Sequence, residues 1–230
     1  MSGNAELYEQ LAGACTARSE TYRFLARLFR TEVDEELLSE LAGKSYPCET
    51  GNAKADEGYM KIATFMSNTW PNTITDLAVD FVRTFIGHGN DSYACAYPFE
   101  SVYTSRERLL MMGARDEVLA IYRSQGLDKA LTWKESEDHI SLELEFMATM
   151  AQRCAKALQA GELERADELF AVQKNFLADH LAAWAPMMTA DMSRFAKTDL
   201  YQGLALLTEG YLELDGEFLD EITDGEQEDA

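Results

Sequence analysis

Ile140-Ser141-Leu142-Glu143-Leu144-Glu145-Phe146-Met147-Ala148-Thr149-Met150-Ala151-Gln152-Arg153-Cys154-Ala155-Lys156-Ala157-Leu158 is the stretch that decides the fold. Its apolar residues Ile140, Leu144, Met147, Ala151, Cys154 and Leu158 alternate steps of four and three, which is one face of an α-helix. Nothing in the chain alternates with the period of two that a strand needs. The expected fold is therefore all-α, a single-domain bundle of about eight to ten helices.

Upstream, the start of this helix is set by competing caps. Thr132 with Glu135 forms one capping box, and Ser136 offers a later start. Either choice puts Asp138 and His139 in or near the first turn, where the helix dipole favours a carboxylate and disfavours an imidazolium. Asp138 can bond amides there, and His139 can pair with Glu143 four residues on. A dimetal carboxylate centre would need Glu-x-x-His on two helices and two further glutamates. Glu135-x-x-x-His139 has the wrong step, and Asp179-His180 has no glutamate three before it.

Further helices flank this one. Leu7, Leu11, Ala14, Tyr22, Leu25 and Phe29 mark a long amphipathic helix over 5–29. Asp34 caps a short one that Gly43 ends in left-handed geometry. Helices follow over 55–70, ended by Pro71, and over 73–86, closed by Gly87. His88 and Gly89 lie in a polar loop with neither metal-ligand spacing nor a phosphate-binding context. Thr104 with Glu107 offers a capping box for a helix over 105–124, including Met111 and Met112. Past Gly161 a helix reaches Trp184 and stops at Pro186, with the His180/Trp184 pair read as packing. Asp199 caps the last strong helix, which runs to about Leu214.

The domain is expected over 1–214, with an acidic tail over 215–230 that either frays in solvent or attracts a basic peptide. No basic residue follows Lys197. The 230 residues carry a net charge of −21, which repels nucleic acid and suits basic peptides or proteins. Cys15, Cys48, Cys95 and Cys154 are scattered without a C-x-x-C pair, as in a reducing cytoplasm. The N-terminus lacks a secretory pattern, and no run reaches the roughly 20 apolar residues that span a bilayer. A cytoplasmic protein without stable membrane insertion is expected, as monomer or homodimer.

Between the two helical halves lies Tyr97-Pro98-Phe99-Glu100-Ser101-Val102-Tyr103. Pro98 holds Tyr97 extended, so aromatic, acidic and hydroxyl side chains sit on a restrained segment that can either grip another chain or plug the core. This segment, with Glu135-Ser136-Glu137-Asp138-His139 and the Glu143-Leu144-x-x-Met147 run, resembles the TorD/DmsD/NarJ family of redox-enzyme maturation chaperones. The resemblance spans Tyr22 to Tyr211. Pro98, Phe99, Ser101, Val102 and Tyr103 fit one motif; Glu135, Asp138, His139, Glu143, Leu144 and Met147 fit the other. Ser136 stands where the family often has proline.

The resemblance implies a cytoplasmic chaperone, not an enzyme. Such a chaperone binds the twin-arginine leader or the body of a molybdenum-cofactor oxidoreductase and assists its folding, cofactor insertion and proofreading before export. It also implies Asp138 and His139 in leader recognition. Two arginines on exposed carboxylates supply about 0.2–1 kcal/mol each, whereas micromolar affinity needs about 8 kcal/mol. Buried apolar leader side chains, at roughly 1.5–3 kcal/mol each, must supply most of it. Tyr97, Phe99 and Tyr103 are the candidates for that groove; Glu100, Asp138 and Glu135 are candidates for arginine selection. No cofactor is expected. A rival reading is a small metal- or nucleotide-dependent enzyme using His139, Glu143 and His88.

Overall fold

The computed structural model describes residues 2–87, 95–110 and 113–225. Among them ten α-helices form and no β-strand. They are α1 (Ser2–Arg30), α2 (Glu35–Gly43), α3 (Ala53–Met66), α4 (Thr73–Phe81), α5 (Glu100–Thr104), α6 (Gly113–Ser124), α7 (Ile140–Ala160), α8 (Leu163–Phe176), α9 (Ala182–Phe195) and α10 (Asp199–Gly225). Single π-helical turns, Val82–Ile86 and Leu177–Leu181, continue α4 and join α8 to α9.

The fold is built on α7. All six residues of its apolar stripe are buried, and so are Phe146, Ala148, Met150 and Ala155. That wide apolar surface accepts α1 along its length and α8 on another side. A second tight pair, α3 with α10, depends on glycine. A Cβ on Gly58 would stand 2.5 Å from the Leu207 nitrogen and 2.7 Å from the Gly203 carbonyl oxygen. Alanine at Gly58 would therefore push the two backbones apart.

Several expected boundaries move, each for a local reason. α3 starts earlier because Asn52 accepts the Lys54 and Ala55 amides, and it ends at Met66 rather than near Trp70. Asp34 caps α2 as expected, but Lys44 follows Gly43 in extended rather than left-handed geometry. Thr104 caps nothing: its hydroxyl bonds back to the Glu100 carbonyl and closes α5. The expected helix over 105–124 begins only at Gly113, since Arg108 takes a left-handed φ of 52° that interrupts a helix. His88, Gly89, Met111 and Met112 lie outside the described residues.

Pro186 does not end a helix. It is the fifth residue of α9, which continues directly from the π turn, and it lacks the N–H that would reach the carbonyl four residues back. The only carbonyl it deprives is that of Ala182, at the junction with the π turn. Asp199 lies inside α10 rather than capping it; the Thr198 hydroxyl faces the Tyr201 amide at 3.5 Å.

The largest correction concerns the end of the chain. α10 continues about three turns past Leu214, to Gly225. Leu219 is fully buried. Asp215 accepts the Arg18 Nη2 donor at 2.9 Å and the Tyr22 hydroxyl at 2.6 Å. Farther on, Lys174 of α8 reaches both Asp220 and Asp224 at 2.9 Å. Acidic residues read as a fraying, solvated run are docked by cations from other helices.

Candidate functional site

The two short motifs meet. Phe99 and His139 form an isolated antiparallel β-bridge. The Glu100 amide donates to the Asp138 carbonyl at 3.0 Å, and the Ile140 amide to the Pro98 carbonyl at 2.9 Å. This pairing holds His139 extended, at the end of a turn closed by its own amide on the Ser136 carbonyl at 3.3 Å. α7 consequently begins at Ile140, not at Thr132 or Ser136.

Asp138 is fully buried at the centre of the join. One carboxylate oxygen accepts the Ser101 amide at 2.9 Å; the other takes the Ser136 hydroxyl. Asp138 thus bonds an amide as expected, but one belonging to the other motif. Ser136 supplies a donor that the proline often found there in the family lacks. Next to it, Glu137 accepts Arg115 at 2.6 Å and Lys129 at 3.0 Å. Burial opposes the Glu137 charge, yet these two cations hold its carboxyl down at about 2.

His139 is the N-cap itself. Its Nδ1 accepts the Ser141 amide at 3.1 Å, which requires the neutral ring with the proton on Nε2. Burial pushes its pKa down to about 3. The rings of Phe99 and Trp133 stand edge-on to it at 5.0 and 5.3 Å. The expected His139–Glu143 pair does not form. Glu143 turns instead to the Trp184 indole N–H, at 3.0 Å. Glu100 points inward as well, its oxygens 3.0 and 3.2 Å from His180 Nδ1. Burial first, and Glu100 second, push the Glu143 carboxyl well above its ordinary range.

The predicted residues therefore divide. Pro98, Phe99, Glu100, Ser101, Asp138 and His139 are buried and brought together beneath the surface, while Tyr97 and Tyr103 are half-buried and Glu135 is exposed. Tyr103 stacks on Trp184 at 5.6 Å and donates to Asp191 at 3.2 Å. Farther along the same segment Leu109 and Leu110 are exposed, 57% and 48%. Reading 105–124 as one amphipathic helix hid them. The His180/Trp184 pair was read as packing, yet both side chains answer buried carboxylates. The signal was an i, i+4 pair of polar-tipped rings on a face that otherwise packs inward.

Among the described residues, no group of three or more His, Cys, Asp or Glu side chains is arranged to hold a metal ion. Nor is any helix long and apolar enough to cross a membrane. His139 and Glu143, assigned to chemistry by the rival reading, are instead committed to a helix cap and an indole.

The chain matches the sequence model of the family described as nitrate reductase delta subunit over residues 51–190. It is 26% identical over 226 residues to the chaperone protein TorD of Psychrobacter sp. (strain PRwf-1), spanning 95% of this chain and 98% of that one. The chaperone protein TorD of Aliivibrio salmonicida (strain LFI1238) is 25% identical over 210 residues, 88% and 94% of the two chains. That of Vibrio cholerae serotype O1 (strain O395) is 28% identical over 150 residues, 64% of each. These relatives carry the name of a chaperone, a non-enzymatic role. With a family match over more than half its length, the chain belongs to the nitrate reductase delta subunit family, the TorD/DmsD/NarJ redox-enzyme maturation chaperones whose paired motifs it carries.

Proposed function

We propose that this chaperone binds the twin-arginine leader of a molybdenum-cofactor oxidoreductase, and contacts the body of that enzyme, during folding, cofactor insertion and proofreading before export. It acts in the cytoplasm, as a monomer or homodimer. The observation that carries the reading is the likeness to chaperones named TorD along nearly the whole chain, at 95% coverage for the Psychrobacter protein. The net charge of −21 agrees with a basic ligand.

The nine candidate residues work at two depths. Tyr97, Tyr103 and the exposed Leu109 and Leu110 offer apolar surface to the leader, and Glu135 offers an accessible carboxylate. Beneath them Pro98, Phe99, Glu100, Ser101, Asp138 and His139 fix the path of both segments. The buried residues thus influence recognition by shaping the rim, with the arginines meeting carboxylates outside.

Co-production with the client enzyme tests the partner. Deleting only the leader should reduce capture of the client sharply while leaving a weaker association with its body. Undiminished capture would move recognition wholly to the body. Loss of all capture from both forms would remove the client assignment itself.

A further inference from the structure

We propose that a groove between the C-terminal half of α1 and the 127–133 loop docks an acidic segment of a partner polypeptide, with an apolar side chain seated beside Trp133. Two hollows of about 250 and 340 Å³ adjoin through Arg30, Glu145 and Thr149, which line both. Tyr122, Trp133, Leu142 and Phe146 give the first an apolar floor. Arg23, Arg27 and Arg30, at i, i+4 and i+7 on one face of α1, line the second.

In a chain with 41 acidic and 20 basic residues, this face runs against the average. Its lining holds Arg23, Arg27 and Arg30 against Asp128 and Glu145, with Lys129 already committed to Glu137. Arg30 lies over the Trp133 ring at 5.0 Å and reaches Glu145 at 3.0 Å. Arg27 donates to the Thr31 hydroxyl at 2.9 Å and reaches the Asp34 carboxylate at 3.5 Å, and Arg23 has no hydrogen-bond or ion-pair partner among the described residues. The Trp133 indole N–H is buried with no acceptor, and Leu131 stands 97% exposed on the same loop. An occupant that brings carboxylates to the arginines and an apolar side chain to the Trp133 ring and Leu131 complements this face.

Charge selects the occupant. A basic leader is repelled here, so this ligand is of opposite sign to the one proposed above, and the two can be tested apart. Arg23 and Arg30 are separated by seven residues, about 10 Å of helix. That length matches roughly three residues of extended chain and exceeds one small anion. Trp133 also touches His139, and Tyr122 bonds the Glu137 carbonyl. The groove therefore shares walls with the paired motifs.

Selection of a random dodecapeptide display library on the full chain tests this, with Arg23→Glu/Arg27→Glu, Arg23→Gln and Trp133→Phe as comparison proteins. Arg23→Gln and Trp133→Phe should melt like the full chain, since Arg23 is exposed and the last variant keeps an aromatic ring. The double variant also removes the half-buried Arg27 and its bond to Thr31, so it should melt somewhat lower but stay folded at the binding temperature. The selected pool should be rich in Asp and Glu beside an aromatic or leucine. A synthetic peptide from it should bind the double variant about tenfold more weakly, or roughly 1.4 kcal/mol. It should also bind the two single variants measurably more weakly, and survive competition by a twin-arginine leader. A pool without acidic bias, or acidic binders indifferent to all three variants, overturns the proposal. So does displacement by inorganic phosphate, which would mark a small-anion site, or loss of self-association in the double variant, which would mark a second copy as occupant.

Discussion

Asp138 accepts the backbone amide of Ser101 at 2.9 Å across 37 residues of chain. Both partners are fully buried, and the bond lies beside the only β-bridge among the described residues. A carboxylate read from the sequence as a receptor for arginine thus serves first to lock two loops together.

That role separates two substitutions. Asp138→Ala strands the Ser101 amide and the Ser136 hydroxyl, at a cost of about 1–3 kcal/mol. Asp138→Asn can still accept the amide and lose less. In urea unfolding the alanine variant should lose clearly more stability than the asparagine variant. With both folded, leader discrimination should fall further for alanine if Asp138 acts by positioning. Equal loss for both would instead mark its charge as the recognising feature.

Two buried groups give opposite pH dependences. His139, held down at about 3 by burial, contributes stability that is complete above its ordinary value of 6.5 and is lost as pH falls toward 3. The slope is about 1.4 kcal/mol per pH unit. Glu143, raised above 4.5, contributes stability that is complete below pH 4.5 and is lost as pH rises. Between 4.5 and 6.5 the two slopes oppose each other. His139→Gln should therefore gain stability relative to wild type on acidification through this window, and Glu143→Gln should lose it. Urea midpoints across the window check both; difference profiles that stay flat with pH would contradict the burial account.

The end of α10 is structural. Arg18 and Asp215 are both buried, and Asp215 outweighs desolvation to raise the Arg18 pKa. Removing one partner of such a pair costs about 3–5 kcal/mol. Asp215→Ala should lower the melting temperature strongly, and truncation after Leu214, which also removes the buried Leu219, should lower it more. A truncated chain that melted like the full one would restore the reading of a solvated tail.

Periodicity carried the fold where apolar residues dominate. The stripe from Ile140 to Leu158 identified the central helix, and Asp34 the cap of α2, because both signals are local. α10 was cut short since the acidic residues past Leu214 find cations on helices distant in sequence: Arg18 for Asp215, Lys174 for Asp220 and Asp224. The paired motifs were recognisable as residues, but their backbone pairing was not. A two-residue bridge leaves no alternation to read. The Glu100–His180 and Glu143–Trp184 contacts depend on the π turn at Leu177–Leu181, whose extra residue shifts the helical register.

The most direct test of leader recognition is calorimetric titration of the full chain with twin-arginine leaders of molybdenum oxidoreductases and their Gln-Gln counterparts at two salt concentrations. The account predicts saturable binding to the Arg-Arg leaders, weaker binding to the Gln-Gln forms, and a loss of that difference as salt rises. Equal binding of both forms, or no binding by any leader, would contradict it.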